Sequence, residues 1–200
     1  MVDETQQKID EAFMQKAIFE AQKAAEAGEV PIGAVVVCRG KIISRAHNLT
    51  ETLHDVTAHA EMQAITAAAD SLGGKYLPDC TLYVTVEPCS MCAAALGWAQ
   101  MGRIVYGTPD EKRGYRLYAP RVLHPKATVT QGILAEACRQ LTALMPREKS
   151  TCKHEKKNKN NITTVEHDKN SSSETPLGGA PSRQQRRDVA LQPQPHHRPI

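Results

Sequence analysis

Apolar residues follow two alternating patterns up to about residue 145. From residue 9 to about residue 28 they recur at helical spacing, and Gly28 is a residue that commonly ends a helix. Residues 32–38 and 41–46 are instead rich in β-branched side chains, and Arg39-Gly40 between them predicts a hairpin. The apolar positions of the first predicted helix are Ile9, Phe13, Ala17, Ala21 and Ala24.

The remaining elements alternate between helices and strands. A strand, a helix and a second strand in succession predict parallel strands joined by a right-handed crossover. The interleaving as a whole predicts a three-layer α/β/α fold with a mixed, mostly parallel central sheet. The predicted elements are a helix from Asp55 or Thr57 to about residue 70, a strand over 81–86, a helix over 88–100, strands over 103–106 and 127–131, and a helix over 133–145 that Pro146 ends.

Beyond that last helix the composition changes. Residues 148–200 are rich in polar residues and proline, so we predict a disordered tail after a domain that spans 1–147. From Arg147 onward Lys and Arg outnumber Asp and Glu by 11 to 6, whereas residues 1–146 hold 14 basic and 16 acidic residues. The net charge of +3 therefore comes from the tail and is no argument that the domain binds nucleic acid.

Three features predict a cytoplasmic protein that does not enter a membrane. The amino terminus is polar and acidic, unlike a signal peptide. No apolar run approaches the roughly 20 residues of a membrane-spanning helix. The six cysteines are irregularly spaced, which favours free thiols over a disulfide scaffold.

Two short segments carry the candidate chemistry. His59-Ala60-Glu61 lies at the predicted start of one helix, and Pro88-Cys89-Ser90-Met91-Cys92 lies at the turn from a strand into another. Cys89 and Cys92 share a helix face, near unsatisfied N–H groups that favour the thiolate form. Together with one imidazole they make three zinc ligands, and tetrahedral zinc then keeps its fourth position for water.

Glu61 is the candidate proton carrier of this arrangement. Zinc lowers the pKa of a water ligand toward about 7. Hydrolytic deamination also needs a group that carries the proton of this water to the departing nitrogen. Residues two apart point to different sides in mid-helix, so Glu61 and His59 converge only if both lie at the first turn, where the pattern places them.

Each segment has a plainer interpretation when it is taken alone. A single Cys-x-x-Cys is often a redox pair or half of a structural zinc site, and His-x-Glu occurs by chance on solvated helices. Together, at the starts of two helices, the segments favour a catalytic zinc site. Cys38, Cys80 and Cys138 lie in apolar surroundings and are interpreted as core residues.

The combined pattern resembles the zinc nucleobase deaminases, and in particular the tRNA adenosine deaminase family, over roughly residues 13–141. Ile32 follows the proline of the first strand, where guanine and cytosine deaminases tend to have phenylalanine. The similar segments are Glu29-Val30-Pro31-Ile32-Gly33-Ala34, His54-Asp55-Val56-Thr57-Ala58-His59-Ala60-Glu61, Thr81-Leu82-Tyr83-Val84-Thr85-Val86-Glu87-Pro88-Cys89 and Arg103-Ile104-Val105-Tyr106-Gly107, together with Asn48.

The resemblance implies an active site and a reaction. One Zn²⁺ per subunit would be held by His59, Cys89 and Cys92, with Glu61 as the catalytic proton shuttle. Members of the family form homodimers and convert the wobble adenosine of a tRNA anticodon stem-loop to inosine. Unstacked bases in single-stranded loops are those that proteins can reach.

The resemblance also implies substrate contacts. Asn48 and Val30 would contact the extruded base, and Asp110 and Lys112 would contact the RNA beside it. By composition alone, Asn48 and Asp110 are ordinary turn residues, and Val30 is ordinary packing. Residues 112–126 hold five Lys or Arg and no acidic residue, a pattern that suits either a solvated loop or a phosphate-binding surface.

Two departures from the family stand out. Val56 occupies a position where many relatives have proline. Pro146 ends a helix that in the family continues with aromatic and arginine residues facing the substrate. The lysines over residues 153–159 suggest the hypothesis that the tail adds nonspecific attraction for phosphates.

Two other functions stay open on the sequence alone. The same chemistry would serve a free base or nucleoside, such as guanine, cytosine or adenosine, although Ile32 and the basic segment favour RNA. The alternative of another class is a non-catalytic, zinc-stabilised binding module. Glu61 and the absence of a fourth protein ligand from either segment argue against that module.

Overall fold

The computed structural model describes residues 4–143, and the predicted tail, the domain end at 147 and the stop at Pro146 lie outside them. Within the described residues no helix is long and apolar enough to cross a membrane. The elements are α1 (Glu4–Glu26), β1 (Gly33–Cys38), β2 (Lys41–His47), α2 (Ala60–Leu72), β3 (Cys80–Val86), α3 (Ser90–Trp98), β4 (Arg103–Thr108), α4 (Tyr115–Tyr118), β5 (Thr128–Gln131) and α5 (Ala135–Ala143).

The five strands form one mixed sheet in the order β2-β1-β3-β4-β5. β1 runs antiparallel to both β2 and β3, whereas β3, β4 and β5 pair in parallel. Four of the five strands therefore point the same way, and the predicted mixed, mostly parallel sheet is confirmed. The hairpin is confirmed too, because Arg39 and Gly40 form a two-residue turn whose positive φ values, 49° and 74°, suit the twist of the flanking strands.

Helices cover both faces of the sheet. α1 and α5 pack on one face, against Val35, Tyr83 and Val105. α2 and α3 pack on the other face, against Val36 and Val84 among others. Successive strand residues point to opposite faces, so the central strands are buried on both sides. The three-layer α/β/α arrangement is the one predicted.

The first helix differs from its prediction. α1 begins at Glu4 rather than at residue 9, and Ile9 is 43% exposed. Its neighbour Asp10 is buried instead. Arg103 binds the Asp10 carboxylate through two nitrogens at 2.7 and 2.6 Å, and the Tyr83 hydroxyl donates to it at 2.9 Å. A pattern of apolar residues does not reveal this position, because a charge occupies it.

The second helix is also capped differently. His59, and neither Asp55 nor Thr57, is the N-cap residue of α2. The Asp55 carboxylate instead accepts hydrogen bonds from the N–H and hydroxyl of Thr57 at 2.8 and 2.7 Å, closing a turn before the helix. The four-residue α4 is an element that the hydrophobic pattern does not predict.

We expect Arg103→Ala to lower the free energy of unfolding by about 3–5 kcal/mol, because it leaves a buried carboxylate without its partner. Burial alone would raise the pKa of Asp10. Hydrogen bonds from Arg103, Gln6 and Tyr83 have the larger effect, so the pKa lies below its ordinary value of 3.8. The stabilisation is therefore fully present above pH 3.8 and is lost as the pH falls through the lower folded-state value. Urea unfolding across pH measures both effects. The double variant Asp10→Asn/Arg103→Ala should lose less, and an equal loss would contradict the ion-pair origin.

Candidate active site

The two segments singled out in the sequence meet where α2 and α3 begin, at the carboxyl end of β3. His59 and Cys89 are the N-cap residues of the two helices, and Cys92 lies in the first turn of α3. The His59 Nδ1 atom lies 3.7 Å from Cys89 Sγ and 3.4 Å from Cys92 Sγ. Within residues 4–143, these three side chains are the group that could hold a metal ion.

The three side chains fit zinc. Ligand atoms bound to tetrahedral zinc at 2.0–2.3 Å lie about 3.5 Å apart, which agrees with the distances to His59. A hydrogen bond from Cys92, together with one from His59, lowers the pKa of Cys89 to about 4, so this sulfur is a thiolate at neutral pH. That thiolate in turn raises the pKa of Cys92, whose proton a metal would displace. Three protein ligands are typical of a catalytic zinc site, whereas structural sites have four.

Glu61 lies beside these ligands, in the first turn of α2. Its side chain is 3% exposed, and within the described residues its Oε2 atom has no hydrogen-bond partner. Burial raises the pKa of Glu61 to about 7, and the negative charge of Cys89 adds to that rise. A carboxyl group with such a pKa can both accept and release a proton near neutral pH.

Asn48 and Val30 flank this region on the strand side. Asn48 directly follows β2 and is buried. The N–H of Leu49 donates to the Ala58 carbonyl at 3.0 Å, so the chain around Asn48 runs beside the residue that precedes His59. Val30 precedes β1 and is 36% exposed, which leaves part of its side chain available for contact.

Sequence reasoning missed Glu29, a buried carboxylate next to Val30. Glu29 accepts hydrogen bonds from Asn48 Nδ2 and Thr50 Oγ1, at 3.1 and 3.3 Å. It also accepts the backbone N–H groups of Glu51 and Thr52, at 3.1 and 2.8 Å. The one signal in the sequence was its place in the family-like segment 29–34.

Asp110 and Lys112 lie in the loop between β4 and α4. The Asp110 carboxylate accepts the backbone N–H groups of Lys112 and Arg113, at 2.9 and 3.0 Å, so Asp110 shapes the turn. A hydrogen bond with Cys89 raises the pKa of His59, and the positive charge of Arg113 on this loop opposes that rise. Lys112 and Arg113 are exposed on this loop.

Sequence reasoning also missed Glu87, which anchors the same loop. This buried carboxylate accepts the backbone N–H groups of Asp110 and Arg116, each at 3.2 Å. The Arg116 guanidinium binds it as well, at 3.1 Å through both Nε and Nη2. Arg116 is therefore held in an ion pair, and the basic segment 112–126 has one fewer cation for a phosphate than its composition suggests.

The anchored loop packs directly on residues 87–89, the turn from β3 into α3 that carries Cys89 and is called the ligand turn below. Gly114 forms a bridge with Cys89, and the Tyr115 N–H donates to the Pro88 carbonyl at 2.9 Å. A Cβ atom on Gly114 would lie 2.6 Å from the Glu87 carboxylate, so the approach requires glycine. The position of the loop is thus tied to the position of Cys89, one of the three side chains that could hold a metal ion.

The fold and the site define an α/β/α domain with a His-Cys-Cys metal centre and an adjoining acid. The family described as the cytidine and deoxycytidylate deaminase zinc-binding region matches residues 7–108. The chain belongs to this family, and the predicted zinc cofactor and enzyme class, a zinc-dependent hydrolytic deaminase, are confirmed.

Two curated relatives and one solved structure are similar to about two thirds of this chain. "tRNA-specific adenosine deaminase" of Agrobacterium fabrum is 42% identical over 142 residues, 68% of this chain and 93% of that protein. "tRNA(adenine(34)) deaminase, chloroplastic" of Arabidopsis thaliana is 42% identical over 160 residues, 70% of this chain but only 12% of that protein. A structure described as "Biochemical and Structural Studies of A-to-I Editing by tRNA:A34 Deaminases at the Wobble Position of Transfer RNA" is 42% identical with a TM-score of 0.61, covering 65% of this chain and 98% of that chain. The resemblance predicted from the sequence is confirmed.

We expect Cys89→Ser to lose bound zinc, because a serine hydroxyl does not supply the thiolate that the metal prefers. Elemental analysis after dialysis against a weak chelator measures the metal bound per chain. Cys38→Ser is the matched control. Cys38 lies at the far end of β1, away from the three side chains, so this variant should keep its zinc. A Cys89→Ser protein that retains zinc as the control does would refute the assignment of this ligand.

Proposed function

We propose that this chain deaminates adenosine to inosine in tRNA, at the wobble position of the anticodon. The observation that carries the chemistry is the buried Glu61 carboxyl, whose Oε2 atom lacks a partner within the described residues, beside His59, Cys89 and Cys92. The names of the relatives support adenosine in tRNA as the substrate, because both are described as deaminases of that base.

In the proposed reaction, Glu61 moves one proton. Zinc, when held by the three ligands, activates water for attack on the base. Glu61 takes a proton from the attacking water as the bond from oxygen to C6 forms. It then gives this proton to the exocyclic nitrogen as the bond from C6 to nitrogen breaks. Adenosine and water thus yield inosine and ammonia, with Glu61 returned to its starting state.

The substrate contacts of the proposal lie on both sides of this centre. Asn48 and Val30 contact the target base, on the side of β1 and β2. Asp110 and Lys112 contact the RNA next to it, from the loop that packs on the ligand turn. The exposed cations Lys112 and Arg113 support RNA over a free base, because a free base has no phosphate to attract them.

We expect Glu61→Ala to keep zinc and to lower kcat by at least about 10²–10⁴, because it removes the buried carboxyl group that lies beside His59 and Cys89. Inosine formed in an anticodon stem-loop is the measurement, with zinc content determined on the same sample. Glu26→Ala, an exposed glutamate at the end of α1, is the control and should keep full activity.

Two results would contradict parts of the proposal. Ordinary turnover by zinc-replete Glu61→Ala would refute the proton shuttle. Ammonia released by the wild type from free guanine, cytosine or adenosine, with no inosine in the stem-loop, would assign the free base or nucleoside as substrate instead. A wild type that binds zinc and is inert on every one of these substrates would favour the binding module.

We propose a homodimer, in which the exposed end of α3 contacts a second copy. Trp98 at that end is 84% exposed, although a tryptophan side chain gains much from burial. Tyr76, Val122 and Leu123 add apolar side chains to the groove beside it, which the polar residues Gln100 and His124 also line.

We expect Trp98→Asp to shift the protein toward monomer, because a carboxylate cannot be buried in an apolar contact without a partner. Sedimentation equilibrium measures the mass. Val56→Asp is the control, because Val56 is equally exposed, at 84%, in a loop outside this groove. A wild-type monomer, or a dimer that Trp98→Asp leaves intact, would contradict the assigned surface.

The remaining proposals concern compartment and tail. We propose the reducing cytoplasm as the site of action, because Cys89 and Cys92 bind zinc only in their reduced form. We also propose that the catalytic domain ends at 147 and that residues 148–200 form a basic tail, on the compositional grounds given above.

A further inference from the structure

We infer that Glu29 is a positioning residue that holds the Asn48 amide with its carbonyl oxygen toward the substrate, so that the substrate group bound there is a hydrogen-bond donor. The inference rests on the proposed function, in which Asn48 contacts the target nucleotide. It adds which atom of Asn48 does so and what chemistry that atom recognises.

Both hydrogens of the Asn48 amide are used inside the protein. Nδ2 donates to Glu29 Oε2 at 3.1 Å and to Thr50 Oγ1 at 2.8 Å. The Thr50 hydroxyl can accept from Asn48 because its own proton goes to Glu29 Oε2, at 3.3 Å. Within residues 4–143, every hydrogen bond of the Asn48 side chain runs through Nδ2, and none runs through Oδ1.

The chemistry of Glu29 fixes which way the amide faces. Burial would raise the pKa of Glu29, but hydrogen bonds from the N–H groups of Thr52 and Glu51 lower it below its ordinary value. The ionised carboxylate can only accept hydrogen bonds. If the amide of Asn48 were reversed, its oxygen would face a carboxylate oxygen at about 3 Å, which is repulsive. Asn48 is therefore locked with Nδ2 inward.

This orientation limits what Asn48 can recognise. A free amide oxygen accepts hydrogen bonds and offers none. The ring nitrogens N1, N3 and N7 of adenine are acceptors too, so none of them pairs with it. Within an RNA strand, the donors of an adenosine are its exocyclic amine and its ribose 2′-hydroxyl. Asn48 thus selects for a donor on the nucleotide.

The test is a charge-conserving exchange between the two positions. Glu29→Gln allows the Asn48 amide to turn, and Asn48→Asp places two carboxylates side by side. Each single change should lower kcat/KM on an anticodon stem-loop by about 10-fold to 100-fold. Between the two positions, the double variant Glu29→Gln/Asn48→Asp restores one donor, one carboxylate and an outward acceptor oxygen. The Glu51 N–H loses its acceptor to the same extent in Glu29→Gln and in the double variant. The double variant should recover at least about 10-fold over the poorer single variant.

A folded, zinc-loaded double variant that is no better than the poorer single variant would overturn the inference, because Asn48 would then act as a donor or independently of Glu29. Melting temperature and zinc content are measured for every variant. Glu20→Gln is the matched control, because Glu20 is also buried and hydrogen-bonded, to Lys23 on α1. It should change kcat/KM by less than about twofold.

A stem-loop with 2′-deoxyadenosine at the target identifies the donor. If the ribose hydroxyl is the donor, this change lowers kcat/KM of the wild type but not that of Asn48→Ala. If the exocyclic amine is the donor, both proteins lose equally. An increase in wild-type activity that Asn48→Ala abolishes would overturn the inference, because removing a donor from which Oδ1 accepts a hydrogen bond cannot raise the activity.

A second readout needs no activity. In the substrate-free protein, the side-chain amide protons of Asn48 should exchange slowly with water, and Glu29→Gln should speed this exchange. Fast exchange in the wild type would overturn the locked orientation, whatever the substrate. A wild type that protects these protons but forms no inosine in the stem-loop would instead refute the proposed function alone.

Discussion

Two helices that begin at the same place govern the chemistry of this domain. The first turns of α2 and α3 lie side by side, and the backbone N–H groups and dipole ends at the start of a helix favour negative charge. Hydrogen bonds from Cys92 and His59 lower the pKa of Cys89 to about 4, whereas burial raises the pKa of the neighbouring Glu61 to about 7. The sheet makes this possible, because the carboxyl end of β3 delivers one ligand turn directly beside the start of α2.

The rim of the site is organised by two buried carboxylates rather than by apolar packing. Glu29 accepts hydrogen bonds from Asn48 and from the residues that follow it, and Glu87 accepts hydrogen bonds from the loop that carries Lys112. Each accepts several hydrogen bonds, which satisfies a charge that would otherwise be costly to bury. These hydrogen bonds order the loops before a substrate binds. Binding therefore does not carry the entropic cost of ordering them.

The sequence was sufficient for the parts of the structure that depend on short-range pattern. β-branched runs, a two-residue turn and paired ligand spacing give the hairpin, the strands and the His59, Cys89 and Cys92 group. The sequence did not predict that Asp10 and Glu29 are buried, because a buried charge is recognisable only when its partner is known. Those partners lie about 90 and 20 residues along the chain, at Arg103 and in the loop after Asn48. Glu87 escaped detection for the same reason.

The way Glu29 and Glu87 hold their loops bears on how the rim can vary. Glu51, Thr52 and Asp110 reach these carboxylates through backbone N–H groups, and the Thr52 side chain adds a further hydrogen bond to Glu29. The part of the anchoring that comes from a backbone N–H group does not depend on the side chain at that position. Any residue except proline can supply that group. The side chains at these positions can thus change the surface of the rim while the backbone hydrogen bonds beneath it stay the same.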